Sequence, residues 1–393
     1  MNALVLSNLF PSADEPGRGL FNLRGFAALA EFCDVRVVVP VAAWRHLGSP
    51  GRWLGARTET HSGLEATYVS YWNLPRVGTT LHARAVRAFV APYVRRMHAA
   101  RPFDVVLGVF AYPDLVAAAA LADELRLPLV GFVLGSDINE LGQWPSIRPQ
   151  IQRALHRSHS IVSVSHGLKE RVVELGVPAD KVIVQHNGVE GDVFALRDRA
   201  SVRAQLSVPP GRKLVCFVGN LLPEKGPDVL LDALTGAPDV HVAFIGSGAL
   251  KDTLLATATA RGVADRISFL GRLPASQVAL WLSAADALCL PSRREGCPNV
   301  VLEALASGVP VVASRVGGVP ELLTETNGMM VPAEDPGALA KALVATLERR
   351  WDPIALRASV PSLSWADMGR TLHRAMVEAV AARTGDAAHR NRP

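Results

Sequence analysis

The chain has 393 residues, 49% of them hydrophobic and 20% charged, with ordinary amounts of glycine (32) and proline (27); this is enough for two compact cores and excludes a disordered or low-complexity protein. No stretch approaches the roughly eighteen uncharged apolar residues of a membrane span, and Cys33, Cys216, Cys289 and Cys297 lack the spacing of a zinc site or disulfide framework, so they read as core fillers. Net charge is +5, concentrated between Pro40 and Arg101, where nine arginines (Arg45, Arg52, Arg57, Arg76, Arg84, Arg87, Arg95, Arg96, Arg101) face only Glu59 and Glu65; such a patch suits anionic lipid, a phosphorylated acceptor or nucleic acid, or is a solvated arginine-rich surface.

The first apolar run, 3–6, has no basic leader or cleavage site before it and reads as a buried strand, which gives the expectation of a cytoplasmic protein. Similar Val/Ile/Leu-rich runs at 35–39, 105–109, 129–133, 160–164 and 182–185 alternate with helical periodicity at 20–31, 80–100, 114–126 and 167–175. That alternation predicts a doubly wound α/β sheet of buried parallel strands. In 80–100, Arg84, Arg87, Arg95 and Arg96 interleave with Val86, Phe89, Val90, Tyr93 and Met97, while Pro92 interrupts the period; the segment is either an interfacial helix on an anionic membrane surface or a packed helix with an arginine rim. After the loop 187–194 the pattern restarts, with strands at 214–218, 240–245, 267–270, 287–290, 309–313 and 329–331 and crossover helices at 228–234, 249–261, 276–284, 299–307, 320–323 and 336–349. Two domains are expected, 1–190 and 191–364, with a last helix at 365–382 packing back onto the first.

Chemistry concentrates where the strand ending at Leu290 meets the next helix. Asn299 stands where an N-cap precedes the periodicity of Val300, Val301, Ala304 and Leu305. Free amides and aligned peptide dipoles at such a helix start suit a diphosphate. Glu295 precedes the helix and Glu303 lies about one turn into it, so the two carboxylates suit the hydroxyls of a sugar and a ribose; the plain alternative is a capping loop with a solvated glutamate. Gly17-Arg18-Gly19, after the first strand, opens a helix where backbone approaches a ligand closely. His166 and His186 lie beyond strand ends and read as surface groups. The chain has no Asp-x-Asp metal pair, no complete Gly-x-Gly-x-x-Gly and no Walker motif.

These residues carry a resemblance. Glu295-Gly296-Cys297-Pro298-Asn299 through Leu302-Glu303-Ala304, with Gly308, Pro310, Val311 and Val312, is similar to the Glu-x7-Glu signature of family 4 glycosyltransferases, including bacterial polysaccharide and teichuronic-acid enzymes. The likeness extends to the loop 219–226, the turn Ile245-Gly246-Ser247-Gly248, Phe269-Leu270-Gly271, Gly317-Gly318 with Glu321, and Asn187-Gly188-Val189. It implies the GT-B fold, two Rossmann-like domains facing across a cleft. It also implies retaining, metal-independent transfer of a hexosyl unit from a UDP- or GDP-linked donor to a glycan or lipid-linked acceptor. No cofactor, metal or nucleic-acid partner is expected, and the implied location is the cytoplasm or the inner face of the plasma membrane.

By the same resemblance Glu295 meets the donor sugar, Glu303 the ribose and Lys225 the diphosphate. Gly219, Asn220, Gly246, Gly248, Gly296, Cys297, Asn299 and Val300 line the donor, Arg272 stands where backbone reads the base, and Gly17, Arg18 and Gly19 form the acceptor and phosphate loop. Two departures stand out. Asn220 replaces an arginine the family often has, leaving Lys225, the helix start near Asn299, or Arg293 or Arg294 to stabilise the leaving group. Leu134-Gly135-Ser136-Asp137 lacks the family's frequent histidine, so Asp137 is the catalytic candidate there or else caps the following turn. The rival reading is a weak or non-transferring relative, an epimerase or a sugar-nucleotide-binding protein.

Overall fold

The computed structural model describes residues 1–46, 55–73, 78–209, 211–360 and 364–390, without the side chains of Arg45, His46 and 385–390. The chain divides into two compact units: Met1–Asn187 with Trp365–Pro393, and Gly188–Ser364.

In the first unit the strands are β1 (Asn2–Leu6), β2 (Asp34–Ala42), β3 (Ala56–His61), β4 (Leu64–Tyr71), β5 (Val105–Val109), β6 (Leu129–Val133), β7 (Ser160–Ser163) and β8 (Val182–Val184). They form one sheet in the order β3-β4-β2-β1-β5-β6-β7-β8, parallel except for the β3–β4 pair. The order reverses between β1 and β5, the kind of switch point at which doubly wound sheets leave a crevice beyond their carboxyl ends. The β3–β4 hairpin is absent from the sequence-based expectation. Its residues Ala56–His61 are polar and half exposed, so they lack the apolar run that marks a buried strand. The legible signal was Ser62-Gly63, whose φ values of 49° and 80° make the tight hairpin turn.

The basic helix is His82–Ala100 and runs through Pro92 without a break, correcting the expected interruption. Its Val86, Val90 and Val94 are buried within the unit, and Phe89, Tyr93 and Met97 are half-buried. Arg87 and Arg95 both reach Glu124, at 2.9 and 2.5 Å. The apolar stripe is therefore a packing face. Arg52 and Arg76 lie outside the described residues.

The C-terminal helix, Trp365–Arg390, extends beyond the expected 382 and belongs to the first unit. Met368, Leu372, Ala375, Met376 and Ala379 are buried there. Gly369 lies against the backbone of Ala28 in helix Leu20–Ala30, so closely that a Cβ would stand 2.6 Å from it, and the Thr371 hydroxyl donates to Gln185 at 2.7 Å. Among the described residues no helix is long and apolar enough to cross a membrane.

The second unit holds β9 (Lys213–Val218), β10 (Val240–Ile245), β11 (Ile267–Gly271), β12 (Ala287–Leu290), β13 (Val311–Ser314) and β14 (Gly328–Val331), all parallel, in the order β11-β10-β9-β12-β13-β14. Alternation along β9 sends Leu214 and Cys216 into one core and Val215 and Phe217 into another on the opposite face. Helices cover both faces, as two-sided burial demands. The switch point lies between β9 and β12, and the loops that follow those two strands carry Lys225 and Glu295.

Candidate active site

Lys225 ends a short turn, Pro223–Lys225, beyond β9, and Glu295 lies in the loop between β12 and helix Asn299–Ala306. Lys225 Nζ donates to both Glu295 carboxylate oxygens, at 2.8 and 2.9 Å. The Ser292 hydroxyl donates to the same carboxylate at 2.6 Å. The Glu295 side chain is only 6% exposed and that of Lys225 29%. A carboxylate is tolerated at that depth because an ammonium and a hydroxyl satisfy it. Two residues 70 positions apart are thus one preformed ion pair at the switch point.

Close backbone approaches hold the surrounding loops. A Cβ on Gly226 (φ 63°) would lie 2.1 Å from the Pro291 carbonyl oxygen, and one on Gly317 (φ 51°) 1.9 Å from that of Glu295. On the other side, Gly246 (φ 141°) approaches the Gly219 oxygen and Gly248 the Leu221 oxygen, at 1.9 and 2.3 Å by the same measure. Hydrogen bonds tie the layers together: Gly219 N to Ile245 O at 2.9 Å, Gly246 N to Gly271 O at 2.8 Å, and Gly318 N to Gly296 O at 2.9 Å. Arg272 Nε donates to the Ser247 hydroxyl at 2.8 Å. Gly219, Asn220, Gly246, Gly248 and Arg272 therefore share one rim at the carboxyl ends of β9, β10 and β11, with Asn220 exposed.

Glu303 lies within helix Asn299–Ala306 and is partly exposed. Asn299 is corrected: it is the first helical residue, Pro298 occupies the cap position, and no side chain caps the helix. Pro298 has no side-chain acceptor to offer the first turn, and its carbonyl takes the Val301 amide at 3.0 Å. Cys297 and Val300 are half-buried against the core, and Gly296 turns the chain beside them. Arg293, offered as a substitute for the missing arginine, is also corrected. Its guanidinium is held by both Asp228 oxygens at 2.7 and 3.0 Å and by Glu334 at 2.8 Å, which raises its pKa further and makes it a brace between loops. Ser292 and Asp228 escaped the sequence reading. Their signal was position alone, one just past a strand end and the other in the first turn of the helix after Lys225.

In the first unit Asp137 is fully buried and accepts from the backbone amides of Ala111 (2.8 Å), Gly135 (2.7 Å) and Leu134 (3.2 Å). It is corrected from catalytic candidate to loop clamp, since its oxygens are taken by the backbone at the ends of β5 and β6. Asp114 does the same across the switch point, accepting from Asn8 N at 2.5 Å. Burial holds the Asp114 carboxyl well above the usual carboxylate range. Its favourable contribution is then full in acid and lost as pH rises through the raised folded-state value. Asp114→Asn, which cannot ionise, is expected to gain in melting temperature on the parent protein as pH rises above about 4, the ordinary carboxylate value; fluorimetric melts on both sides of that pH check this, and a pH-independent difference overturns it.

Gly19, with φ 63°, sits at the start of helix Leu20–Ala30 and packs against Leu9, while Gly17 faces open space. Arg18 Nε donates to Asn8 O at 3.1 Å. His166 and His186 have ring centroids 6.2 Å apart, beyond β7 and β8.

Residues 198–358 match the family described as glycosyl transferases group 1, and residues 27–192 match glycosyltransferase family 4. The chain is 29% identical over 367 residues to the glycosyltransferase TuaC of Bacillus subtilis, named for teichuronic acid biosynthesis, covering 90% of this chain and 91% of that one. It is 37% identical to the D-inositol 3-phosphate glycosyltransferase of Mycolicibacterium gilvum over 189 residues, which is 47% of this chain and 43% of that protein. Among solved structures, Anabaena HepE with UDP-glucose aligns with TM-score 0.70 and 22% identity over 97% of this chain and all of that one. Sucrose-phosphate synthase of Thermosynechococcus elongatus aligns with TM-score 0.72 and 20% identity over 99% of both. The fold is therefore that of the GT-B glycosyltransferases. With one glycosyltransferase family matched in each half, the chain is an enzyme of the glycosyltransferase class.

Proposed function

We propose that this enzyme transfers a hexosyl unit, with retention and without metal, from a UDP- or GDP-linked sugar to a glycan or lipid-linked acceptor in cell-surface polysaccharide synthesis at the cytoplasmic side of the membrane. The observation that carries the reading is the Lys225–Glu295 pair at the switch point of the second sheet, beside the start of helix Asn299–Ala306. Helix-start amides and an ammonium are the groups a leaving diphosphate needs. The complexes of HepE with UDP and with UDP-glucose favour the uridine donor, and the teichuronic acid role for which TuaC is named favours a polysaccharide product.

On this reading Lys225 and the helix-start amides hold the diphosphate, Glu303 the ribose and Glu295 the hydroxyls of the sugar. The bond from the anomeric carbon to the diphosphate oxygen breaks as the acceptor oxygen bonds the same face. The acceptor proton passes to the departing phosphate oxygen, so no protein base is required. The second unit takes the donor and the first the acceptor.

Thermal-shift titration with UDP- and GDP-sugars in the presence of a chelator tests the proposal. A donor at about 100 times its dissociation constant stabilises by about 2.7 kcal/mol, giving a rise of several degrees. No shift across the panel overturns the reading, and a shift only with added divalent metal overturns metal independence.

A further inference from the structure

The second unit contains a cavity of about 440 Å³ at the amino ends of its strands, within the size range of pockets that seat small ligands. Lys213 at the head of β9, Asp286 just before β12 and Pro310 just before β13 line it. Lys225 and Glu295 follow the carboxyl ends of β9 and β12, and the length of β9 alone sets the two ends roughly 16 Å apart. The cavity is therefore separate from the candidate active site.

Its charges do not balance. Five cations line it, Arg197, Arg199, Lys213, Arg349 and Arg350, against one acid, Asp286. Asp286 is already engaged: Arg199 stands 3.1 Å from one of its oxygens, and Arg203 and the Leu214 amide meet the other at 2.7 and 2.8 Å. Nearby Asp198 and Asp352 turn to cap helices, accepting from Ser201 N at 2.8 Å and from Ile354 N at 2.9 Å, and Glu348 is exposed outside the lining. Within this unit only Pro210 and residues 361–363, Pro-Ser-Leu, lie outside the described residues, and none of them carries a charge. The excess of positive charge is thus the unit's own.

Most of these cations keep their charge available. Arg197 donates to Val193 O at 2.7 Å and Arg349 to Glu325 O at 2.9 Å, carbonyls that steady a guanidinium without cancelling its charge. Arg349 also lies over the half-buried Trp351 ring, 4.1 Å from its centroid. Lys213 and Arg350 are exposed and have no side-chain partner among the described residues. Lys213 heads β9, whereas Glu325 comes just before β14, three strand spacings away in the order β9-β12-β13-β14, roughly 14 Å. Cations drawn from both sides of such a span suit charge spread over more than one phosphate. Thr346, 1% exposed, belongs to the wall, and its buried hydroxyl has no hydrogen-bond partner among the described residues; an anionic acceptor removes that deficit.

We infer that this cavity is an anion site remote from Lys225, one that binds a small molecule carrying two or more phosphates. The inference goes beyond the transferase reading and does not depend on it. The probe is inorganic pyrophosphate, titrated calorimetrically into the full chain beside orthophosphate and phosphatidylglycerol vesicles. Pyrophosphate is expected to bind more tightly than orthophosphate, to weaken by about tenfold or more when Lys213→Ala and Arg350→Ala are combined, and to weaken less in Arg350→Lys, which keeps the charge. Neither side chain has a protein partner to lose, so the double variant is expected to keep the parent's melting temperature, and each single variant carries the same test with a smaller effect. Lys225→Ala reports the candidate active site: pyrophosphate binding that falls there while the double variant binds as the parent does overturns the inference. So does orthophosphate binding equal to that of pyrophosphate, the absence of saturable pyrophosphate binding, or binding of the vesicles alone, which would make the patch a lipid-facing surface.

Discussion

The Glu295→Gln variant is expected to keep its nucleotide affinity and to lose turnover by roughly two to three orders of magnitude, the usual cost of one preorganised electrostatic group. The amide keeps the size of the carboxylate and can still accept from Ser292. What it loses is the charge that holds the Lys225 ammonium at 2.8 and 2.9 Å and that strengthens contact with donor hydroxyls. The nucleotide is proposed to rest on Glu303, Lys225 and backbone amides, and the change removes none of these groups. Release of nucleoside diphosphate under steady-state conditions, beside a direct UDP or GDP titration, separates the two effects. Unchanged turnover removes Glu295 from the machinery. Lys225→Ala gives the complementary check, because two groups acting as one device lose less in the double variant than the sum of their single losses.

That pair also shows how far the sequence could be read. Strand and helix periodicity placed the two sheets, since parallel strands buried on both faces leave continuous apolar runs such as β5 and β10. The signature around Glu295 located the loop beyond β12, but a motif gives residue types and spacing within one segment. It does not show that Lys225, 70 residues earlier, closes on the same carboxylate, because that contact is made by strand order. Asp137 failed for a related reason. A polar residue after a strand looks the same in sequence whether it faces a ligand or turns inward, and here three backbone amides draw it into the core. Arg293 was undecidable until Asp228 and Glu334 were seen to hold it.

Gly317→Ala is expected to match Glu295→Gln in lost turnover while leaving every side chain of the site unchanged. Its φ of 51° costs an L-residue about 1–2 kcal/mol, but the larger effect is contact. The new Cβ would stand 1.9 Å from the carbonyl oxygen of Glu295 and 2.7 Å from its carbonyl carbon. One of the two segments must move by an appreciable fraction of an ångström or more. Because Gly318 N is bonded to Gly296 O at 2.9 Å, the strain enters the loop that carries the Glu295 carboxylate. A misplacement on the order of 1 Å is enough to cost about 100-fold in rate. Gly262→Ala provides the control: its φ is 65°, but a Cβ there meets nothing within 4 Å. The control is therefore expected to lose about 1–2 kcal/mol of stability and to retain its turnover. Melting temperature and steady-state turnover measured on both variants decide the matter. Equal turnover in the two would mean that the contact beneath Glu295 does not position it, and full activity in Gly317→Ala would show that the loop tolerates displacement.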